Sequence, residues 1–174
     1  MEIFQLSDKN ISAVANLMST IKPDWWDYQA AFSYLSKICT ADDTIGWFMG
    51  EDEQKPKGFL FCIDSMAYSC LSFESWGFDD NGNFVVGHQL KPLFCMAEEY
   101  ARNSGRHMLR LIISSANMSC DGKPLGEYWE ALRDLNSSVD YFSFYKAYGF
   151  KPSGFLPNCY GKESHGIILV KELI

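Results

Sequence analysis

The sequence has little of several things, and each shortage excludes a class of protein. It has three histidines and six cysteines (Cys39, Cys62, Cys70, Cys95, Cys120, Cys159). The cysteines are scattered, with no C-x-x-C pair and no alternating Cys/His cluster of the kind a tetrahedral zinc site needs. No metal is therefore expected, and most of the cysteines are read as buried thiols in a reducing compartment. There is no apolar run long enough to cross a bilayer, and the opening Met1 to Leu6 alternates like a strand, without the basic start and apolar block of a signal peptide. The cytoplasm is the expected location. There is no basic run either. The formal net charge of -7 gives a field that repels nucleic acid and anionic lipid and mildly favours cationic partners.

What is present is apolar and aromatic: 47% hydrophobic and 16% aromatic residues in 174. That is enough for one sizeable core and short for two, so a single domain over 1–174 is expected. After the opening strand, Ser7, Asp8 and Asn10 offer caps for a helix in which Ile11, Val14, Leu17, Met18 and Ile21 fall at helical spacing, and Pro23 ends it. A second helix carries the stripe Tyr28, Ala31, Phe32, Leu35 and Ile38. The period then changes to that of strands at 44–50 and 58–64, joined by a charged turn, and at 70–78. The third strand runs into Asn81-Gly82, a turn signal because both residues tolerate positive φ.

From Leu90 the pattern is helical again, with Leu93, Phe94, Ala97, Tyr100 and Ala101 on one face and Gly105 as the stop. The compact apolar strand 108–113 suits a sheet centre. Residues 118–137 are polar and contain a short helix bearing Leu125, Tyr128, Trp129, Leu132 and Leu135. Ser138 is a candidate cap for a helix with Tyr141, Phe142, Tyr145 and Tyr148, which Gly149 stops, and a strand at 166–172 closes the chain. The order β-α-α-β-β-β-α-β-α-β predicts an α/β protein with a mixed, mostly antiparallel sheet flanked by helices.

Two segments sharpen this reading. The strand Leu71 to Trp76, the loop after it, the helix Leu93 to Gly105 and the strand 108–113 form one succession. The other segment is Phe144-Tyr145-Lys146-Ala147-Tyr148-Gly149-Phe150, a Y-x-x-x-G-F match. Together they resemble the GCN5-related N-acetyltransferases (GNAT), over nearly the whole chain. The resemblance implies transfer of an acetyl group from acetyl-CoA to a primary amine of a small molecule or a protein, and it implies a homodimer as a common state of the family. The stretch 118–137 is longer than the family's usual link and either shapes a substrate pocket or is surface packing.

One departure bears on the cofactor. The family's pyrophosphate loop reads Q/R-x-x-G-x-G/A, because small residues let backbone N–H groups close around the phosphates at a helix N-terminus. Here the aligned residues are Val85, Val86, Gly87, His88, Gln89, Leu90, Lys91 and Pro92. One glycine is kept and the leading basic or amide residue is lost. Pro92 is tolerated in a first helical turn; Lys91 and His88 are candidates to replace the lost charge, and Leu90 is bulky enough to obstruct the phosphates. Val86 to Lys91 are the candidate cradle. The family's strand bulge, which offers a backbone N–H to the thioester carbonyl, would fall near Trp76, Gly77 and Phe78. Ser114 and Asn117 are placed either to bond the pantetheine amides or to make a turn.

For catalysis, Tyr145 occupies the family's tyrosine position and is the candidate general acid, a phenol having an intrinsic pKa of roughly 10; the competing reading is one more aromatic in a core stripe. Glu74 is the candidate base, on the expectation of partial burial, against a solvated strand carboxylate. Trp25, Trp26 and Asp27 are candidates for an acceptor wall suited to an ammonium group, with helix capping and packing as the alternative. His107 and His165 have no evident partner. The rival to the enzyme is a non-catalytic GNAT-like binding module, suggested by the eroded loop and the inserted segment.

Overall fold

The structure, a computed structural model, describes residues 1–133, 135 and 140–173, leaving out the side chains of Tyr128, Trp129, Asp140 and Tyr141. Its strands are β1 (Glu2–Gln5), β2 (Thr44–Gly50), β3 (Pro56–Ser65), β4 (Cys70–Asp80), β5 (Asn83–Val85), β6 (Met108–Ser114), β7 (Lys151–Gly161) and β8 (Ser164–Glu172). Its helices are α1 (Ile11–Ile21), α2 (Tyr28–Thr40), α3 (Lys91–Asn103), α4 (Tyr128–Arg133) and α5 (Asp140–Ala147). The sheet runs β1-β2-β3-β4-β6-β8-β7 with β5 on β4. Only β4 and β6 are parallel.

The alternation of β3 sorts the two faces. Phe59 and Phe61 pack under α1 and α2 with Val14, Met18, Ala31 and Leu35. Leu60 and Cys62 face the other way, onto α3 and α5 with Phe94, Ala97 and Phe144. Each Leu or Phe so buried contributes roughly 1.5–3 kcal/mol, and this two-sided burial is why β2 and β3 read as nearly continuous apolar runs.

Several expectations need correcting. In α2 only Ala31, Leu35 and Ile38 are buried, while Tyr28 and Phe32 lie at the exposed edge of the stripe. Asn10 does not cap α1 with its side chain. It is buried, accepts from the Ser7 N–H at 2.8 Å and donates to the Gln5 carbonyl at 3.2 Å, tying β1 to α1. Of the cysteines, Cys62, Cys70 and Cys120 are buried, whereas Cys95 and Cys159 are exposed. Two strands extend the expected order. β5 completes the hairpin at Asn81-Gly82, where φ is 54° and 85°. β7 is the sheet edge, where Pro152, Gly154, Pro157 and two register shifts erase the alternation that signals a strand. The expected cap Ser138 lies outside the described residues. Among those residues no helix is long and apolar enough to cross a membrane.

Candidate functional site

The site begins with an irregularity in β4. Phe61 pairs with Ser75 and Cys62 with Phe73, so Glu74 is the extra residue of a bulge. The expected position around Trp76, Gly77 and Phe78 is therefore corrected to Glu74. The bulge bends β4 away from β6: their parallel pairing ends at Phe73 with Leu111, although β6 continues to Ser114 along β8. β5 takes up the same edge of β4 only from Phe78. Among the described residues, 74–77 thus have β3 on one side and no strand on the other, and residues 112–114 of β6 have β8 on one side only. The two open edges form a splay in the sheet, bordered by backbone N–H and C=O groups without ladder partners.

Trp76 and Tyr145 meet on the α3 side of this splay. The Trp76 indole N–H donates to Tyr145 Oη at 2.7 Å, with the rings edge to face. Tyr145 is buried at 1% exposure against Phe94, Phe144 and Phe150. The ring of Tyr145 is part of the core, and its oxygen reaches Trp76 in the open segment of β4. Phe78 is buried in the same core.

At the entrance to α3, a short 3-10 turn over His88–Leu90 leads into the helix. The Leu90 N–H is spent on the Gly87 carbonyl and the Lys91 N–H on that of His88. The His88 and Gln89 N–H groups have no partner among the described residues, as expected at a helix start. Leu90 does not obstruct them, because its side chain is fully buried beneath the turn. Pro92 sits in the first turn, and no acidic residue occupies that turn. His88 and Lys91 are exposed, while Val86 and Gly87 are half-buried. Open N–H groups, an unobstructed helix start and two exposed basic side chains fit a diphosphate, and the open strand edges fit an extended amide-bearing arm.

On the opposite face, Glu74 is exposed rather than partly buried. Burial first, then the Glu74 carboxylate and Cys62, push the Tyr34 hydroxyl of α2 far above the usual phenol range. Burial, then Cys159 and Glu74, push Tyr160 of β7 up as well. Tyr34 and Tyr160, from two elements distant in sequence, therefore both feel the Glu74 charge. Tyr34 packs against Trp26 with the rings tilted and their centroids 4.9 Å apart, and Trp25 stands exposed. Asp27 is the N-cap of α2, accepting from the Ala30 N–H at 2.8 Å. Ser114 accepts from the Ala116 N–H at 3.2 Å, a turn contact, and Asn117 follows with φ of 64°.

Sequence reading missed Tyr34 and Tyr160, and it found no partner for His165. Tyr34 lies one residue off the expected stripe of α2, which was the available signal. The buried His165 accepts from the Asn158 N–H at Nδ1 (3.1 Å) and contacts the Lys123 carbonyl through Nε2 (2.8 Å), while its own N–H donates to Ser115 Oγ (2.9 Å). These bonds fasten the start of the 118–137 stretch to the β7–β8 hairpin, and only the tertiary fold reveals them.

No protein-family model matches the sequence, and no curated protein matches it closely. Solved structures do match. An aminoglycoside 6'-N-acetyltransferase complexed with coenzyme A superposes with a TM-score of 0.80 at 16% identity, covering 100% of this chain and 98% of that one. The aminoglycoside 6'-N-acetyltransferase from Enterococcus faecium gives 0.77 at 17%, covering 100% and 98%. The ribosomal-protein-S18-alanine N-acetyltransferase from Escherichia coli gives 0.67 at 12%, covering 98% and 92%. The chain has the GNAT fold.

Proposed function

We propose that this protein is an acetyl-CoA-dependent N-acetyltransferase that acts on a primary amine. The observation that carries the proposal is the open edge of β4 at 74–77. It places the Glu74 carboxylate on one face of the sheet and the Trp76–Tyr145 pair on the other, with the start of α3 at its end. Structures with this fold include one complexed with coenzyme A, which supports the choice of cofactor.

The residues assigned to acetyl-CoA are the backbone N–H groups of His88 and Gln89, the side chains of His88 and Lys91, and the open edges of β4 and β6. When bound it supplies a thioester carbonyl, activated for attack by an amine. Residues of this chain do the rest. An amine is nucleophilic only once neutral, and Glu74, exposed beside Tyr34 and Tyr160, is positioned to take its proton. Tyr145 holds a proton at Oη from beneath the splay, for the coenzyme A thiolate that leaves as the amide bond forms. The bond it accepts from Trp76 fixes its orientation and stabilises the oxygen when that proton is given up.

A calorimetric titration with acetyl-CoA tests the first half of this reading. Micromolar binding, about -8 kcal/mol, is the expected result. A thiol-release assay over an amine panel, with Tyr145→Phe alongside, tests the second. The Trp76–Tyr145 bridge also favours an alternative, a non-catalytic GNAT-like binding module, because it sets two bonded aromatic side chains beside the splay. No heat with acetyl-CoA would select that alternative.

A further inference from the structure

The turn between α1 and α2 holds an ammonium group between two aromatic rings. Lys22 Nζ lies 4.5 Å from the centroid of Trp25 and 4.9 Å from that of Phe84, and the two rings are 6.2 Å apart. The turn is fixed, since the Trp25 and Trp26 N–H groups both donate to the Lys22 carbonyl at 3.0 Å. Among the described residues the Lys22 ammonium has no carboxylate partner, so the rings are what hold it. Trp25 is 68% exposed, so one wall of the clamp faces solvent.

The clamp lies on the α1–α2 side of β4, the side of Tyr34, whose hydroxyl feels the Glu74 charge. The Phe84 ring lies directly over Gly77, where any Cβ would collide with it. Gly77 pairs with Phe59 and Ser75 with Phe61, and both phenylalanines point to the α1–α2 side, as does Tyr34 beside Glu74. From Glu74 to Gly77 is at most about 10 Å at roughly 3.3 Å per residue of regular strand, and the bulge at Glu74 shortens it. A carboxylate and a cation-binding pair of rings therefore stand at a spacing that a single extended molecule can bridge.

We propose that Trp25 and Phe84 form a specificity clamp for a second cationic group of the acceptor, and that Lys22 is its built-in competitor. The acceptor class this selects is a linear dication or polyamine whose distal ammonium lies within about 10 Å of the amine at Glu74. The clamp already demonstrates its preference by holding an ammonium. The Lys22 contact is weak because the site is exposed and the side chain returns to water at little cost, so a ligand anchored at Glu74 displaces it. The net charge of -7 raises the local concentration of such cations. This inference rests on the acetyltransferase reading for the role of Glu74, though not for the clamp itself.

The test compares spermidine with octylamine, a monocation of similar length, in the thiol-release assay, for the wild type, Lys22→Met, Trp25→Leu and Phe84→Leu. Melting curves establish that each variant is folded. The ratio of kcat/KM for spermidine to that for octylamine is expected to rise about two- to fivefold in Lys22→Met and to fall by a similar factor in the two ring variants. A ratio that stays constant, or moves the same way in all three, overturns the clamp while leaving the acetyltransferase reading intact. If acetyl-CoA does not bind at all, that reading fails and the clamp is judged by calorimetric titration with spermidine alone. Tighter binding to Lys22→Met than to wild type upholds it, and equal or weaker binding overturns it.

Discussion

The indole N–H of Trp76 donates to the phenolic oxygen of Tyr145 at 2.7 Å, joining residues 69 positions apart across the splay in the sheet. Replacing Trp76 by Phe removes the donor and keeps most of the ring. One hydrogen bond at about 1 kcal/mol corresponds to a roughly fivefold fall in kcat. Tyr145→Phe, which removes the proton itself, is expected to cost about 100-fold or more. Stopped thiol release with saturating acetyl-CoA reads both. An unchanged rate in Tyr145→Phe would return that residue to the core alone.

Glu74 is exposed at the bulge and, among the described residues, its side chain makes no hydrogen bond. Glu74→Gln should leave stability within about 0.5 kcal/mol while lowering kcat/KM about 100-fold at neutral pH. A kcat/KM in the variant within about twofold of the wild type would assign the base elsewhere.

Leu90 and Lys91 are neighbours with opposite expected effects. Leu90 is fully buried beneath the turn, so Leu90→Ala should cost about 2–5 kcal/mol of stability. Lys91 is exposed at the start of α3, so Lys91→Ala should leave the melting curve in place and weaken acetyl-CoA about fivefold, with a smaller effect at high salt. Calorimetry at two ionic strengths separates the roles; equal weakening at both would remove Lys91 from the diphosphate site.

Glu98 joins α3 to β8 and to the end of α5, accepting from Lys171 Nζ at 2.6 Å and from the Tyr148 hydroxyl at 3.2 Å. Partial burial pushes its carboxyl up, but the bonds from Lys171, Arg102 and Tyr148 outweigh that and hold it below the ordinary value. A depressed carboxyl stabilises the fold above the unfolded pKa of about 4.3 and loses that contribution as pH falls through the lower folded value. Melting temperature should therefore drop on acidification below about pH 4.3. In Glu98→Gln the neutral-pH value should be lower and that part of the acid drop absent. An identical acid profile in the variant would show that the network does not couple to folding.

The sequence by itself determined the elements whose signal is local. β2 spans 44–50 as its run of apolar residues requires, α1 buries the stripe its spacing marks, and Gly149 ends the tyrosine-bearing helix segment with φ of 98°. Y-x-x-x-G-F and the strand–helix–strand succession were enough for the GNAT fold, since they record local geometry in residue identity. The tertiary structure decided whatever depends on register or on contacts between distant segments. A bulge is a mismatch between two strands, so no property of β4 alone could place it at Glu74 rather than near Gly77. β7 hid because an exposed edge strand with prolines need not alternate. The pairing of Trp76 with Tyr145, the reach of the Glu74 charge to Tyr34 and Tyr160, and the seat of Lys22 between Trp25 and Phe84 all come from chain segments brought together only when the sheet closes over its two cores.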